Sequence, residues 1–353
     1  MTLTLSLLPP DIQNWVMAEV PDMTGRTALV TGASSGIGLE AARLLAYRGA
    51  RVFMACRNPD KGEEALAAIR AVVPGALVEL LPLDLASLGS VRAAAETVGE
   101  ELEALDLLIN NAGVMAVPRA TTAEGHELQF GTNHLGHFAL TAHLWPLLMA
   151  APAARVVQVS STAHRAGRMA FDDLMGVRRY DKFRAYAQSK LANLLFMVAL
   201  VNRRERQEFP VIPVACHPGF AATNLMGGGK GSAVADALFT MGTRLIGHSA
   251  LMGALPTLKA AAGGGVGPGD YFGPALGGMR GFPRRERPAA HALVAEDAER
   301  LWQASEALSG VVFATRAAAA VAPLMVSGPA ADETVAEEWA AGDASAPEAQ
   351  AET

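Results

Sequence analysis

Cysteine is scarce in this 353-residue chain, which has only Cys56 and Cys216. Two thiols in separate apolar runs are too few for a disulfide framework, so a reducing, cytoplasmic setting is expected. Basic charge is also in short supply. The 29 Lys and Arg are outnumbered by 35 Asp and Glu, for a net charge of −6. That balance gives no cationic field for nucleic acid or anionic lipid, and neither partner is expected. No run of 18 uncharged apolar residues occurs, and the apolar start "MTLTLSLLPP" lacks a basic leader and a small-residue cleavage site. Neither a membrane span nor a secretion signal is expected. What the chain has instead is apolar bulk: 51% hydrophobic residues against 18% charged ones, enough for a large core.

The acids are unevenly placed. Residues 317–353 hold seven acids and no Lys or Arg, which leaves residues 1–316 at +1. The tail's Ala, Pro and Glu bias predicts a disordered or weakly helical extension. With residues 1–23 as an amino-terminal extension, one domain is expected over 24–316. A basic cluster, "RGFPRRERP" (280–288), is interrupted by proline and reads as a solvated loop.

Within that domain, short β-rich runs alternate with segments of helix length. The runs are "TALVT" (27–31), "RVFMA" (51–55), "LVELL" (77–81), "LDLLI" (105–109), "RVVQVS" (155–160) and "VIPVAC" (211–216). Strands apolar on both faces belong in a parallel sheet covered by helices on each side, so a doubly wound α/β fold is predicted. Ligands then gather at the carboxyl ends of the strands.

One junction carries a chemical signal. "TGASSGIGLE" (31–40) joins the first run to a helix whose Leu39, Ala42, Leu45 and Ala46 share an apolar face. Gly32 permits a tight turn. Gly36 and Gly38 clear the backbone where a pyrophosphate and the first strand must approach, and Ser34 and Ser35 add hydroxyl donors to the free N–H groups of the helix start. An ordinary glycine-rich turn is the alternative. No Gly-Lys-Ser/Thr follows, which excludes a mononucleotide P-loop. About 20 residues past such a turn, an acid suits a free ribose 2′-hydroxyl and a base suits a 2′-phosphate. Here "MACRN" places Arg57 nineteen residues after Gly38, with no acid before Asp60. NADP(H) is therefore favoured over NAD(H).

Taken together, "TGASSGIG", "LDLAS" around Asp84, "NNAG" (110–113), "TNHLGHF" (132–138), "VSSTAH" (159–164), "YAQSK" (186–190) and "HPG" (217–219) resemble the short-chain dehydrogenases/reductases over residues 24–316. Within that family they resemble the retinol-dehydrogenase-like branch. The resemblance implies a Rossmann fold and a hydride-transferring oxidoreductase with the tetrad Asn133, Ser161, Tyr186 and Lys190. Ser160 competes with Ser161 for the substrate oxygen, and the family pattern favours the second serine. Asn133 resembles the helix-kinking asparagine that holds a water against the lysine. The resemblance also implies cofactor contacts from Ile37, Asn58, Asp84, Leu85, Asn111, Ala112, Gly113, Pro218 and Gly219, besides Tyr186 and Lys190 themselves.

The Tyr-Lys pair has its own physical logic. Four residues apart on a helix, Tyr186 and Lys190 project from one face. An ammonium about 4 Å from the phenol, at an effective dielectric near 20, contributes about 4 kcal/mol. That is enough to lower a pKa near 10 by about three, which predicts a general acid for carbonyl reduction and a base for alcohol oxidation. An exposed Tyr-Lys pair is the bland alternative, countered by the apolar continuation "LANLLFMVAL". Tyr180 is a decoy, since "YDKFR" lacks the family's serine before the base.

His126, His134, His137, His143 and His164 show no ligand pattern with cysteines or acids at zinc spacing, and no metal is expected. Residues 220–265 read as a substrate lid, with "GGGKGS" as a link and "ALFTMGTRLIGHSALMGAL" as an apolar helix. An apolar lid suits a lipophilic aldehyde, ketone or alcohol, while the same run reads equally as a homodimer surface. Two other functions stay in view. "GTNHLGHF" also resembles light-dependent protochlorophyllide reductase, although Phe220 stands where that family shows a cysteine. An NADP(H)-sensing regulator without turnover is the other, although such proteins commonly lose the tyrosine or the lysine and this chain keeps both.

Overall fold

The computed structural model describes residues 8–207, 209–219 and 249–313. The acidic tail and "GGGKGS" lie outside them. The chain divides into two units, Met1–Ala314 and Thr315–Thr353, and all the described residues belong to the first.

The six apolar runs become consecutive strands of one sheet, from one edge inward. Its strands are β1 (Thr27–Thr31), β2 (Arg51–Cys56), β3 (Val78–Pro82), β4 (Leu107–Asn110), β5 (Arg155–Val159), β6 (Ile212–Cys216), β7 (Tyr271–Leu276) and β8 (Arg280–Glu286), in the order 3-2-1-4-5-6-7-8. The first seven are parallel and β8 runs antiparallel to β7. The chain winds outward from β1 to β3, then returns to place β4 on the other side of β1. That reversal opens a crevice at the carboxyl ends of β1 and β4, the place where such sheets bind ligands.

Alternate side chains feed two cores. Ala28, Val30, Val52, Met54 and Ile109 face helices α1 (Pro10–Glu19), α2 (Gly36–Tyr47), α3 (Pro59–Val72) and α9 (Ala250–Ala262). Leu29, Phe53, Leu108 and Val156 face α4 (Leu88–Glu101), α6 (Gly136–His143), α8 (Lys182–Gln207) and α10 (Ala295–Ser309). Two short helices, α5 (Leu128–Phe130) and α7 (Trp145–Ala150), flank α6. Cys56 and Cys216 end β2 and β6, both buried and unpaired. Ile12, Val16 and Val20 of the amino-terminal segment are buried in the first of these cores.

Two expectations are corrected. The basic cluster 280–288 is no solvated loop: its first seven residues are β8, and Pro283 is admitted because an edge strand leaves one row of backbone groups without ladder partners. The second correction concerns the lid. Its described part from Ala250 onward is α9, whose Ala254, Leu255, Leu258 and Ala260 are fully buried where the helix packs on α2 and the sheet. The apolar character of residues 250–262 belongs to the core. Residues 220–248 lie outside the described residues.

Candidate active site

The turn after β1 is built as its glycines require. Gly32 adopts φ +69° and Gly36 φ +58°, the left-handed region where a Cβ is costly. Gly38 sits so close to β4 that a Cβ there would overlap the Gly32 carbonyl oxygen and lie 2.5 Å from Asn111 Nδ2. Ser35 is the N-cap of α2, and its side chain makes no capping bond, so the helix start presents its N–H groups outward. Ile37 is buried behind them, and Ser34 is half-buried beside Cys56.

Thr31 binds this turn to the next. Its Oγ1 accepts from the backbone N–H of Asn111 and of Ala112, each at 2.9 Å, while Asn111 Nδ2 donates to the Thr31 carbonyl at 2.8 Å. Asn58 caps α3 through Lys61 N at 2.9 Å, and Arg57 beside it is exposed, with no carboxylate partner among the described residues. Asp84 Oδ1 accepts from Ala86 N at 3.0 Å, and Leu85 is pressed against Gly136 at the start of α6. The proposed cofactor residues thus form one continuous rim over β1, β2, β3 and β4.

The catalytic candidates converge from β5, α8 and the helix after β4. Tyr186 and Lys190 are buried, on consecutive turns of α8. The two serines at the end of β5 separate cleanly. Ser160 Oγ donates inward to the Lys190 carbonyl at 2.8 Å, whereas Ser161 Oγ accepts from Ala163 N at 3.2 Å and its side chain acts on the Tyr186 phenol. Ser161 is therefore the serine on the reactive side. Lys190 Nζ donates to the Val159 carbonyl at 3.1 Å and lies 5.8 Å from the centroid of the Tyr186 ring.

The electrostatics differ from the sequence expectation. Burial pushes the Tyr186 phenol up to about 12, with the Ser161 side chain opposing the rise. Burial also pushes the Lys190 ammonium down to about 8. Among the protein's own groups desolvation is the largest cause at both residues, and the phenol is protonated at neutral pH.

Asn133 lies in a π-helical turn, Gly131–Leu135, where the wider spiral bends the chain into α6. Its amide clamps Val114 from both sides, accepting from Val114 N at 2.8 Å and donating to Val114 O at 2.9 Å. Nδ2 also donates to Ser189 Oγ at 2.9 Å, which ties the turn to α8 between Tyr186 and Lys190. Gly113 fits against this clamp, and a Cβ there would lie 3.0 Å from Asn133 Oδ1. Pro218 and Gly219 follow β6, the strand next to β5.

Sequence reasoning missed the residues that hold these parts together. His137 Nδ1 donates to the Asn133 carbonyl at 2.9 Å, so its Nε2, 2.9 Å from Thr31 Oγ1, accepts that hydroxyl's proton. Burial lowers this ring to about 4 and keeps it neutral. Tyr180, set aside as a decoy, donates to the Val117 carbonyl at 2.9 Å and accepts from Gln129 Nε2 at 2.8 Å. Gln129 in turn holds Ala116 N at 2.8 Å, where the backbone takes φ +52°. No motif announces such roles, because each depends on partners distant in the chain. Among the described residues, no three His, Cys, Asp or Glu come together as a metal site.

Comparison with known proteins gives the class, an oxidoreductase that uses a nicotinamide cofactor and acts on alcohol or carbonyl groups. Residues 26–230 match the family model described as short chain dehydrogenase. Human retinol dehydrogenase 12 is 40% identical over 313 residues, covering 87% of this chain and 95% of that protein. Human retinol dehydrogenase 13 is 40% identical over 293 residues, covering 81% and 85%. A crystal structure of an uncharacterised Mycobacterium paratuberculosis protein aligns with TM-score 0.68 at 40% identity, covering 83% of this chain and 97% of that one. A Shigella flexneri short chain dehydrogenase complexed with NADP aligns with TM-score 0.55 at 25% identity, covering 69% and 93%. The chain belongs to the short-chain dehydrogenase family, in its retinol-dehydrogenase-like branch.

Proposed function

We propose that this protein is an NADP(H)-dependent reductase of lipophilic aldehydes and ketones, working on the matching alcohols in reverse. The observation that carries the reading is the buried Tyr186 phenol, one helical turn before the buried Lys190 and beside Ser161 at the end of β5. A protonated phenol is the form that gives a proton to a carbonyl oxygen.

The residues fit the cofactor on the chain's own evidence: the Gly32 to Gly38 turn leaves room only for bare backbone, and Arg57 stands exposed at the end of β2 without an acid beside it. When bound, NADPH supplies hydride from its nicotinamide ring. Ser34, Ser35 and the N–H groups of α2 would hold its pyrophosphate, and Arg57 with Asn58 its 2′-phosphate. Asp84 and Leu85 flank the adenine side, and Asn111, Ala112 and Gly113 the ribose side.

Tyr186 Oη and Ser161 Oγ point at one substrate oxygen, Ser161 orienting it and Tyr186 delivering the proton. Lys190 keeps two N–H groups beyond its bond to Val159 for the nicotinamide ribose. Asn133 fixes the turn opposite Lys190. The lipophilic substrate class is supported by the retinol dehydrogenases among the relatives. A reducing, cytoplasmic setting is supported by the two unpaired cysteines.

The test is NADPH consumption against aliphatic aldehydes, retinal, steroid ketones and quinones, with Tyr186→Phe as control. Turnover of at least one lipophilic carbonyl is expected, falling by about 100-fold or more in the variant. Full rate in Tyr186→Phe removes the assigned proton donor, and cofactor binding without turnover of any carbonyl favours a sensor.

A further inference from the structure

The turn after β6 is held in place from the far edge of the sheet. His217 follows β6, is 1% exposed, and donates its backbone N–H to the Phe272 carbonyl of β7 at 2.9 Å. Its ring has two partners. Nδ1 lies 3.2 Å from Gly219 N, and Nε2 lies 3.1 Å from Glu286 Oε2 at the end of β8.

A backbone N–H only donates, so Nδ1 accepts and the ring proton sits on Nε2, which donates to the carboxylate. Each bond requires the other. Without the acid, nothing on the Nε2 side selects the tautomer that leaves Nδ1 open to Gly219.

The surroundings are shaped for this ring. A Cβ at Gly273 would overlap Nε2, and Tyr271 packs on the imidazole with centroids 5.3 Å apart at 31°. Gly219 takes φ +72°, and a Cβ there would lie 2.5 Å from the Met279 carbonyl oxygen in the β7–β8 turn. The Glu286 side chain is only 8% exposed, with Arg284 Nε 3.4 Å from its other oxygen. Such a buried acid on a strand of otherwise exposed charge calls for a reason beyond solubility.

We propose that Glu286 is a positioning residue for the nicotinamide end of the site, acting through His217 to fix the Pro218–Gly219 turn. This rests on the cofactor reading above, which counts Pro218 and Gly219 among the cofactor contacts; their place after β6, next to β5 with its Ser161, sets them at the nicotinamide end. Neither Glu286 nor His217 touches the reacting atoms. Their effect is to present the Gly219 backbone in one orientation, so that the ring does not have to order the turn on binding.

The test uses the full chain and two probes. NADPH engages both ends of the site, whereas adenosine 2′,5′-bisphosphate carries the 2′-phosphate and no nicotinamide. Glu286→Leu is expected to weaken NADPH by about tenfold and to leave the bisphosphate unchanged. Glu286→Gln keeps a carbonyl for the Nε2 proton and restores NADPH binding to within about threefold of the original. His217→Asn keeps an acceptor toward Gly219 and binds NADPH better than His217→Phe. The inference is overturned if Glu286→Leu binds NADPH as the unaltered chain does, if both probes weaken equally, or if Glu286→Gln is no better than Glu286→Leu. If the unaltered chain binds neither probe, it is the cofactor reading that falls, and this inference with it.

Discussion

Lys190 is held where an ammonium is uncomfortable. Its pKa of about 8 against an ordinary 10.5 corresponds to a destabilisation on the order of 3 kcal/mol at neutral pH. Lys190→Met should therefore raise the stability by about 1 to 3 kcal/mol while abolishing turnover. Val159 O keeps a partner in that variant, since Asn193 Nδ2 also donates to it at 3.3 Å. Urea unfolding at pH 7 checks the gain, and an unchanged or lower midpoint refutes it. Arg57 supplies a second expectation: Arg57→Glu should weaken NADPH by about tenfold or more and leave NADH less affected, read by titrating both. An unchanged preference removes Arg57 from the cofactor argument. Tyr186 and Lys190 were legible because four-residue spacing on a helix brings them together whatever surrounds them. The phenol's pKa was not legible, because pairwise attraction can be read from spacing whereas desolvation depends on a whole packed environment.

Strands announce themselves as short runs rich in apolar residues, and all six such runs sit within two residues of their observed strands. The edge is different. β7 carries a glycine and a proline, and β8 mixes four charges with exposed positions, so neither has a continuous run to show. What helix α9 packs against was hidden for the opposite reason, since an apolar run looks alike whether it covers a substrate or a sheet. At this scale the close contact between α2 and β1 makes a sharp forecast. Gly38→Ala places a methyl against the Gly32 carbonyl, which is backbone and has little room to give. A loss of about 2 kcal/mol or more is expected, with dinucleotide affinity falling in parallel. Thermal unfolding and cofactor titration read the two effects, and wild-type values in both refute the close-approach account.

Across the molecule, several buried histidines set the response to acid. Burial pushes His134 to about 3, and His137 and His164 to about 4, each from an ordinary 6.5. The unfolded chain therefore binds more protons below pH 6.5, and stability falls as pH drops from 6.5 toward 4. Each histidine contributes up to about 1.4 kcal/mol per pH unit. Lys190 acts at the other end: its folded pKa is depressed, so its destabilising effect is relieved as pH rises from about 8 to 10.5. Urea midpoints from pH 4 to 10 should climb to 6.5, level off, climb again between about 8 and 9, and fall beyond 9, where the unfolded thiols ionise while the buried Cys56 and Cys216 stay protonated. A flat profile below 6.5 would refute the burial of these rings as neutral groups.

The two thiols have a practical corollary. Cys56 and Cys216 are 2% and 0% exposed, and burial pushes them up to about 11 and about 12, so neither offers a thiolate to an electrophile in the folded protein. Maleimide reagents should leave the native chain unmodified. A cysteine introduced at an exposed site such as Val177 would then take a fluorescent or spin label alone, with no need to remove the natural pair first.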